Sequence, residues 1–248
     1  MNIRRSTRRA MFVACSHGDH INQVAANAVL AFAKDFAPHH RIHLGDAWDT
    51  RAFRSGAAGT PDEGASIDND NDAATAFLRH YKPTMLFMGN HEDRLWALSN
   101  HPRAIVQKAA KTCISMITKL CKEIGCQMVL YGGVGEVASF RQFGDTLACH
   151  GWMYGEQCTR DHVELTGHPI IHAHDHKAKM QPGRVVGAPM GYSVGTLANI
   201  PAMHYAKARR ATAAWSGGIV FGEYGEGWSQ WQLKLIHASD PQPWIRAE

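Results

Sequence analysis

Apolar residues come in short, bounded groups along this chain, and their spacing changes part-way. Ala10, Met11, Phe12, Val13, Ala14 and Cys15 form a compact run that reads as a first strand. Residues 21–36 carry Val24, Ala28, Leu30 and Ala31 at helical spacing. A second strand is expected at 41–44, leading into Gly45-Asp46, and a third at 84–88, leading into Gly89-Asn90-His91. Residues 73–81 read as a helix stopped by Pro83. A longer helix is predicted over 102–124, with Ile105, Ala109, Cys113, Ile117, Leu120 and Ile124 on one face. A strand at 127–131 then turns at Gly132-Gly133. Beyond it the pattern shortens, and strands are expected at 137–143, 146–149, 170–173, 184–186, 192–197, 213–221 and 231–236, with a helix around 162–166. Alternating strands and helices early, then consecutive strands, argue for a layered α/β domain.

Residues 50–72 are rich in Gly, Ala, Ser, Asp and Asn and lack periodicity. They read as a long, mobile surface loop, either a lid over a site or a disordered insertion. No repeat or linker divides the chain, so one domain over 1–248 is expected.

Composition narrows the class. With 248 residues, 45% hydrophobic, the chain can bury one substantial core. The formal charge of +4 is compatible with an anionic substrate. Arg4, Arg5, Arg8 and Arg9 concentrate it in an arm at 1–9, read either as a solvated tail or as a nucleic-acid contact. Six Cys lack framework spacing and read as reduced thiols of a cytoplasmic protein. No stretch is apolar for long enough to span a bilayer, and no signal sequence is evident. Trp215, Trp228 and Trp231 fall in late strands and suit core packing.

The chemistry lies in fragments that each end an apolar run: Cys15-Ser16-His17, Gly45-Asp46, Gly89-Asn90-His91-Glu92, Cys149-His150-Gly151 and His172-Ala173-His174. A strand end holds a side chain firmly while facing it to solvent. His, Asp and Asn gathered there suit two divalent metals. A bridging acid would screen the repulsion between them, and such a pair could clamp an in-line displacement at phosphorus and bring the pKa of a water to about 7.

In this order the fragments resemble the calcineurin-like metallophosphoesterase superfamily over 15–174. The resemblance implies a sandwich of two mixed β-sheets flanked by helices, and a phosphoric ester hydrolase with two divalent metals, manganese by default. Asp46 would bridge the metals. His17 and His174 would complete the first site with the residue at the leading Asp position. Asn90, His150 and His172 would hold the second. His91 would serve as the catalytic proton donor to the leaving oxygen rather than as a ligand. Asp49, Glu92 and Asp93 would orient the ligands, and Arg94 would touch phosphate or pair with a helix acid. His20, His43, His176 and His204 read as surface or structural.

Two positions depart from the pattern. Cys15 stands where the family has Asp. It would bind as thiolate and favour zinc or iron, or Asp19 would replace it, or the first site would be weak. Ile171 stands where the family has Gly. The substrate is expected to be a phosphomonoester or phosphodiester, with the basic arm tilting towards nucleotide or nucleic-acid diesters. The segment Gly45-Asp46-Ala47-Trp48-Asp49-Thr50-Arg51 departs from the Ser/Thr protein phosphatase pattern, which leaves that activity an alternative. A binding module with a degenerate first metal site is another.

Overall fold

The structure, a computed structural model, describes residues 7–132, 139–204 and 212–236. Arg4 and Arg5 of the basic arm, Gly133 of the predicted turn and residues 137–138 of the predicted strand lie outside the described residues.

Two mixed sheets face each other. The first contains β1 (Arg8–Val13), β2 (His40–His43), β3 (Met85–Phe87), β4 (Gln127–Val129), β10 (Gly217–Gly225) and β11 (Trp228–Ile236). Its order is β11-β10-β1-β2-β3-β4, with β1 to β4 parallel and β10 and β11 antiparallel. The second contains β5 (Arg141–Phe143), β6 (Thr146–Ala148), β7 (Ile170–His172), β8 (Ala178–Pro182) and β9 (Met190–Val194), ordered β5-β6-β7-β9-β8. Here β6, β7 and β9 are parallel.

Strand alternation explains how the layers meet. Ala10, Phe12 and Ala14 point from the first sheet into a core shared with Ala148, Ile171, Ala173 and Val194 of the second. Met11 and Val13 point the other way, into a core with α1 (Gln23–Phe36), α2 (Ile67–Tyr81), α3 (Asn90–Leu98) and α4 (Ala104–Glu123). A strand buried on both faces is apolar throughout, which is why 10–15 is an unbroken run. On the outer face of the second sheet, Ile170 packs with Val163 of α5 (Cys158–Thr166).

The predicted architecture is present, with local corrections. Helix α2 begins at Ile67, inside the predicted loop. Ser66 caps it by accepting from the Asn69 amide, and acids in its first turn suit the positive helix end. The remainder of that segment is tied down by an Arg54–Asp62 ion pair at 2.6 Å, with Ala57 and Asp62 buried. Residues 184–186 form a turn rather than a strand, and Val186 is fully exposed, because β8 and β9 form the hairpin on either side. In α4 the buried stripe starts only at Ala110, and Ile105 is 67% exposed. Of the tryptophans, Trp231 is buried against Phe12 while Trp215 and Trp228 are half-buried. Among the described residues no helix is long and apolar enough to cross a membrane.

Candidate metal centre

Five parallel strands, β1, β2 and β3 of one sheet and β6 and β7 of the other, end at one edge, and the loops leaving them carry the chemistry-bearing fragments. Cys15, His17, Asp46 and His176 offer ligand atoms that all lie within 4.8 Å of one another. So do Asp46, His150 and His174. Asp46 belongs to both groups. The Asn90 amide oxygen lies 3.2 Å from His150 Nε2 and 2.8 Å from His174 Nδ1, so it joins the second group.

Backbone geometry at this edge is unusual. Cys15, His17, Asp46, His174 and His176 all have positive φ, between 52° and 72°. Outside glycine such conformations cost of order 1–3 kcal/mol each and persist only where the surroundings impose them. Here they occur just after three strands, at Cys15 and His17 after β1, Asp46 after β2, and His174 and His176 after β7.

The imposing contacts can be named. Glu92, fully buried, accepts from the amides of Asp46 (3.0 Å), Trp48 (2.9 Å) and Gly89 (2.7 Å). Asp70, reaching in from α2, accepts from the amides of Asp49 (2.9 Å) and Thr50 (3.0 Å). Burial pushes its carboxyl up to about 6, against the pull of those two amides. His43 accepts from the Gly45 amide at 3.2 Å and meets Ser16 Oγ at 3.2 Å, while Ser16 donates to the Ala47 carbonyl. Two glycines permit the close approach. A Cβ on Gly89 would stand 2.1 Å from Asp46 Oδ1, and one on Gly45 would stand 2.6 Å from His150 Nδ1.

The polarity of the cluster calls for positive charge. His150 Nδ1 lies 2.7 Å from the Leu44 carbonyl and takes the ring proton there. Its Nε2 then faces two acceptors, Asn90 Oδ1 at 3.2 Å and Asp46 Oδ2 at 3.4 Å, a place for a proton or for a cation that displaces it. His17 Nδ1 donates to Asp49 at 3.2 Å, which leaves its Nε2 lone pair 3.0 Å from His176 Nε2. Burial opposes ionisation of Asp46, but His150, His91 and His17 prevail and hold it well below the usual carboxylate range. Burial likewise opposes charge on His150, yet Asp46 raises its pKa. Converging lone pairs and a buried carboxylate are a donor set that fits divalent cations.

His91 falls in a third group, with His17 and Asp49, whose ligand atoms also lie within 4.8 Å of one another. Its Nδ1 lies 2.8 Å from both the carbonyl and Oδ1 of Asp49, and its amide donates to Asp46 Oδ1 at 3.0 Å. Its Nε2 is 4.0 Å from Asp46 Oδ2. Burial disfavours the charged ring, but Asp46 and Asp49 outweigh it and raise the pKa to about 9. Arg94 donates to the Thr50 carbonyl at 3.1 Å and so braces the loop that carries Asp49. Asp93 is half-buried on the same helical turn. Asp19 pairs with Arg51, with one bond of 2.7 Å, rather than turning into the cluster.

Three placements differ from expectation, all in the run 172–176. His172 is not in the cluster. It is the last residue of β7, in phase with Ile170, so its ring faces α5, stacked on His162 at 4.3 Å and bonded to Thr159 at 2.8 Å. The pair that reaches the cluster is His174 and His176, two residues later. His174 lies with Asn90 and His150, where His172 was expected, and His176 lies with His17 and Cys15, where His174 was expected. The residue before the pair is therefore Ala173, and Ile171 packs in the inter-sheet core without crowding the site. The run His172-Ala173-His174-Asp175-His176 offered both registers, and strand parity decides between them. Asp175, between the two histidines, accepts from Ser193 at 2.6 Å and Cys158 at 3.0 Å and pairs with Lys179 at 2.8 Å, which fixes the turn.

No protein family and no curated protein matches the sequence. Among solved structures the chain is similar to a conserved uncharacterized protein of Streptococcus pneumoniae described as a predicted phosphoesterase, with TM-score 0.36 and 9% identity, over 94% of this chain and 91% of that one. It is also similar to Yfce, a phosphoesterase from E. coli, with TM-score 0.37 and 13% identity over 86% and 91% of the two chains. A 5'-nucleotidase precursor from Thermus thermophilus gives TM-score 0.35 and 9% identity over 93% of this chain and 54% of that one. Overlap this loose transfers no activity, and the chemistry has to be read from the side chains.

Proposed function

We propose that the chain is a single-domain, calcineurin-like metallophosphoesterase that hydrolyses phosphate esters with two divalent ions at the Asp46 cluster. One observation carries the reading: Asp46 lies between two groups of lone-pair donors, one fully buried and the other half-buried at Asn90 and His174, with His91 Nε2 4.0 Å from its carboxylate. Cys15, His17 and His176 would hold one ion and Asn90, His150 and His174 the other, with Asp46 shared. Two ions there supply Lewis acidity towards the phosphoryl oxygens and lower the pKa of the attacking water.

The residues divide the remaining work. The Asp49 carboxylate and carbonyl take His91 Nδ1 and thereby orient Nε2. His91 Nε2, left free by the Nδ1 contact and 4.0 Å from Asp46 Oδ2, would donate a proton to the leaving oxygen. Glu92 and Asp70 hold the amides of 46–50 so that Asp46 and Asp49 keep their positions. A module that only binds has no use for an Asp49–His91 pair aimed at the cluster, which favours the enzyme over the degenerate binding module.

The substrate class stays at phosphate ester. Arg8 and Arg9 begin β1, whose far end leads to the cluster. Six residues at about 3.3 Å each put them roughly 20 Å from it. The basic arm thus lends the nucleotide or nucleic-acid tilt only its net charge. The six cysteines are unpaired thiols, five of them buried, which supports a reducing, cytoplasmic setting. Manganese is the default ion for the oxygen- and nitrogen-lined half.

The test is turnover of an aryl phosphodiester and an aryl phosphomonoester by metal-stripped protein resupplied with manganese, zinc or ferrous iron. Metal-dependent hydrolysis that disappears in Asn90→Ala is expected. Equal product from wild type and Asn90→Ala, or none with any of the three ions, overturns the reading.

A further inference from the structure

The two halves of the cluster are chemically unequal. One presents Cys15 sulfur with His17 and His176 nitrogens, and the other presents Asn90 oxygen with His150 and His174 nitrogens. We infer that Cys15 is a thiolate ligand and that the site takes an unlike metal pair, a zinc- or iron-class ion on the Cys15 side and a manganese-class ion on the Asn90 side. This rests on the dinuclear reading above and goes beyond it by assigning a different ion class to each half.

Several observations support a ligand rather than a packing thiol. The Cys15 backbone is held in the left-handed region, φ 53°, by bonds on both sides. Its amide donates to the Gly45 carbonyl at 2.9 Å, and its carbonyl accepts from the Leu197 amide at 3.1 Å and the Thr196 hydroxyl at 2.8 Å. Cys15 closes the inter-sheet core that Phe12 and Ala14 also fill, and the turn of its backbone sets it at the border between that core and the cluster. What the twist achieves is to place Sγ within 4.8 Å of the ligand atoms of His17, Asp46 and His176, all buried.

Nor does another acid take the place of Cys15. Asp19 is engaged by Arg51 and Asp175 by Ser193, Cys158 and Lys179, while Asp49 groups with His17 and His91 rather than with Cys15 and His176. Sulfur is thus the fourth ligand available to this half, completing an S, N, N, O set suited to a borderline-soft ion, whereas amide and carboxylate oxygens dominate the choice in the other half. On binding, the S–H bond is lost and a metal–sulfur bond forms. The proton leaves to solvent, and no electrons are transferred.

Cobalt(II) alone is the probe, added to the full chain after chelator treatment and followed by near-ultraviolet absorption together with elemental analysis. The wild type is expected to bind two cobalt ions with one intense thiolate-to-cobalt band. C15S and C15D should lose the band, N90A should keep it with one cobalt fewer, and C15D should favour manganese over zinc by roughly tenfold more than wild type. Two bound ions without the band overturn the thiolate assignment and leave the dinuclear reading standing. One bound ion with the band overturns the unlike pair. No bound cobalt overturns both, and stoichiometry tells these cases apart. If C15D does not fold, wild type and N90A loaded from an equimolar zinc and manganese mixture decide the ion classes by elemental analysis: one zinc with one manganese in wild type and zinc alone in N90A are expected, and two ions of one kind in wild type overturn the unlike pair.

Discussion

His17 Nε2 and His176 Nε2 stand 3.0 Å apart across 159 residues of sequence. One follows β1 and the other follows β7, so the contact ties the two sheets together at the edge where their parallel strands end. With the His17 Nδ1 proton on Asp49, the two rings converge on one point. His176→Ala should therefore remove one metal ion of two while leaving the fold intact, whereas His172→Ala should keep both ions and lower stability. Elemental analysis beside thermal unfolding separates the two. Loss of an ion from His172→Ala with none lost from His176→Ala would restore the register expected from sequence.

His91 should be dispensable for metal and not for turnover. Its Nδ1 is taken by Asp49, and its Nε2 lies 4.0 Å from Asp46. His91→Ala is expected to retain full metal content and to lose about 10²–10⁴-fold in kcat, the range typical of a positioned general acid. A metal deficit in this variant would make His91 a ligand instead.

Sequence made much of this site legible because most of the fragments that meet there end an apolar run. Asp46, Asn90, His91 and His150 are marked by that position together with the order of the fragments, and the structure brings them together. His176 was missed for a reason the chain contains. Histidines alternate through 172–176, and only the phase of β7, with Ile171 inward and Ile170 outward, shows which pair leaves the strand facing the cluster. The start of α2 was obscured in the same way. Asp68, Asn69, Asp70, Asn71 and Asp72 read as loop by composition, yet they form capped helix, because Asp70 is needed inside to hold the amides of 49 and 50. Strand β8 went unseen because it is a partly exposed edge strand without an apolar run.

The Gly89 position admits no side chain. A Cβ there would meet Asp46 Oδ1 at 2.1 Å, the Asp46 amide at 2.6 Å and His150 Cε1 at 2.6 Å. Gly89→Ala is expected to displace Asp46 and abolish binding of both ions, as measured by calorimetric titration with manganese. Gly64→Ala, on a loop position where a Cβ meets nothing within 4 Å, is the control and should bind as wild type.

Stability of the metal-free protein should fall in mild acid. Burial above all lowers His43 to about 3, and burial, partly offset by the Cys158 carbonyl, lowers His162 to about 4. Both titrate near 6.5 when unfolded. Between these values the unfolded chain binds more protons at these two rings, so their contribution to unfolding free energy is fully present above about 6.5 and is lost as the pH falls towards 4, while Asp70 and Glu92, raised by burial to about 6 and about 7, offset part of that loss. Each ring contributes about 1.4 kcal/mol per pH unit across that window. Urea denaturation from about pH 7 down to about pH 5 should show the loss, and His43→Gln should flatten it. An unchanged slope in that variant would mean that His43 is not held neutral.

An anomalous-scattering map of crystals soaked in manganese and zinc tests the central claim most directly. Two peaks are predicted on either side of the Asp46 carboxylate, one against Cys15, His17 and His176, the other against Asn90, His150 and His174. No peak beside Asp46, or ions bound only elsewhere, would contradict the account.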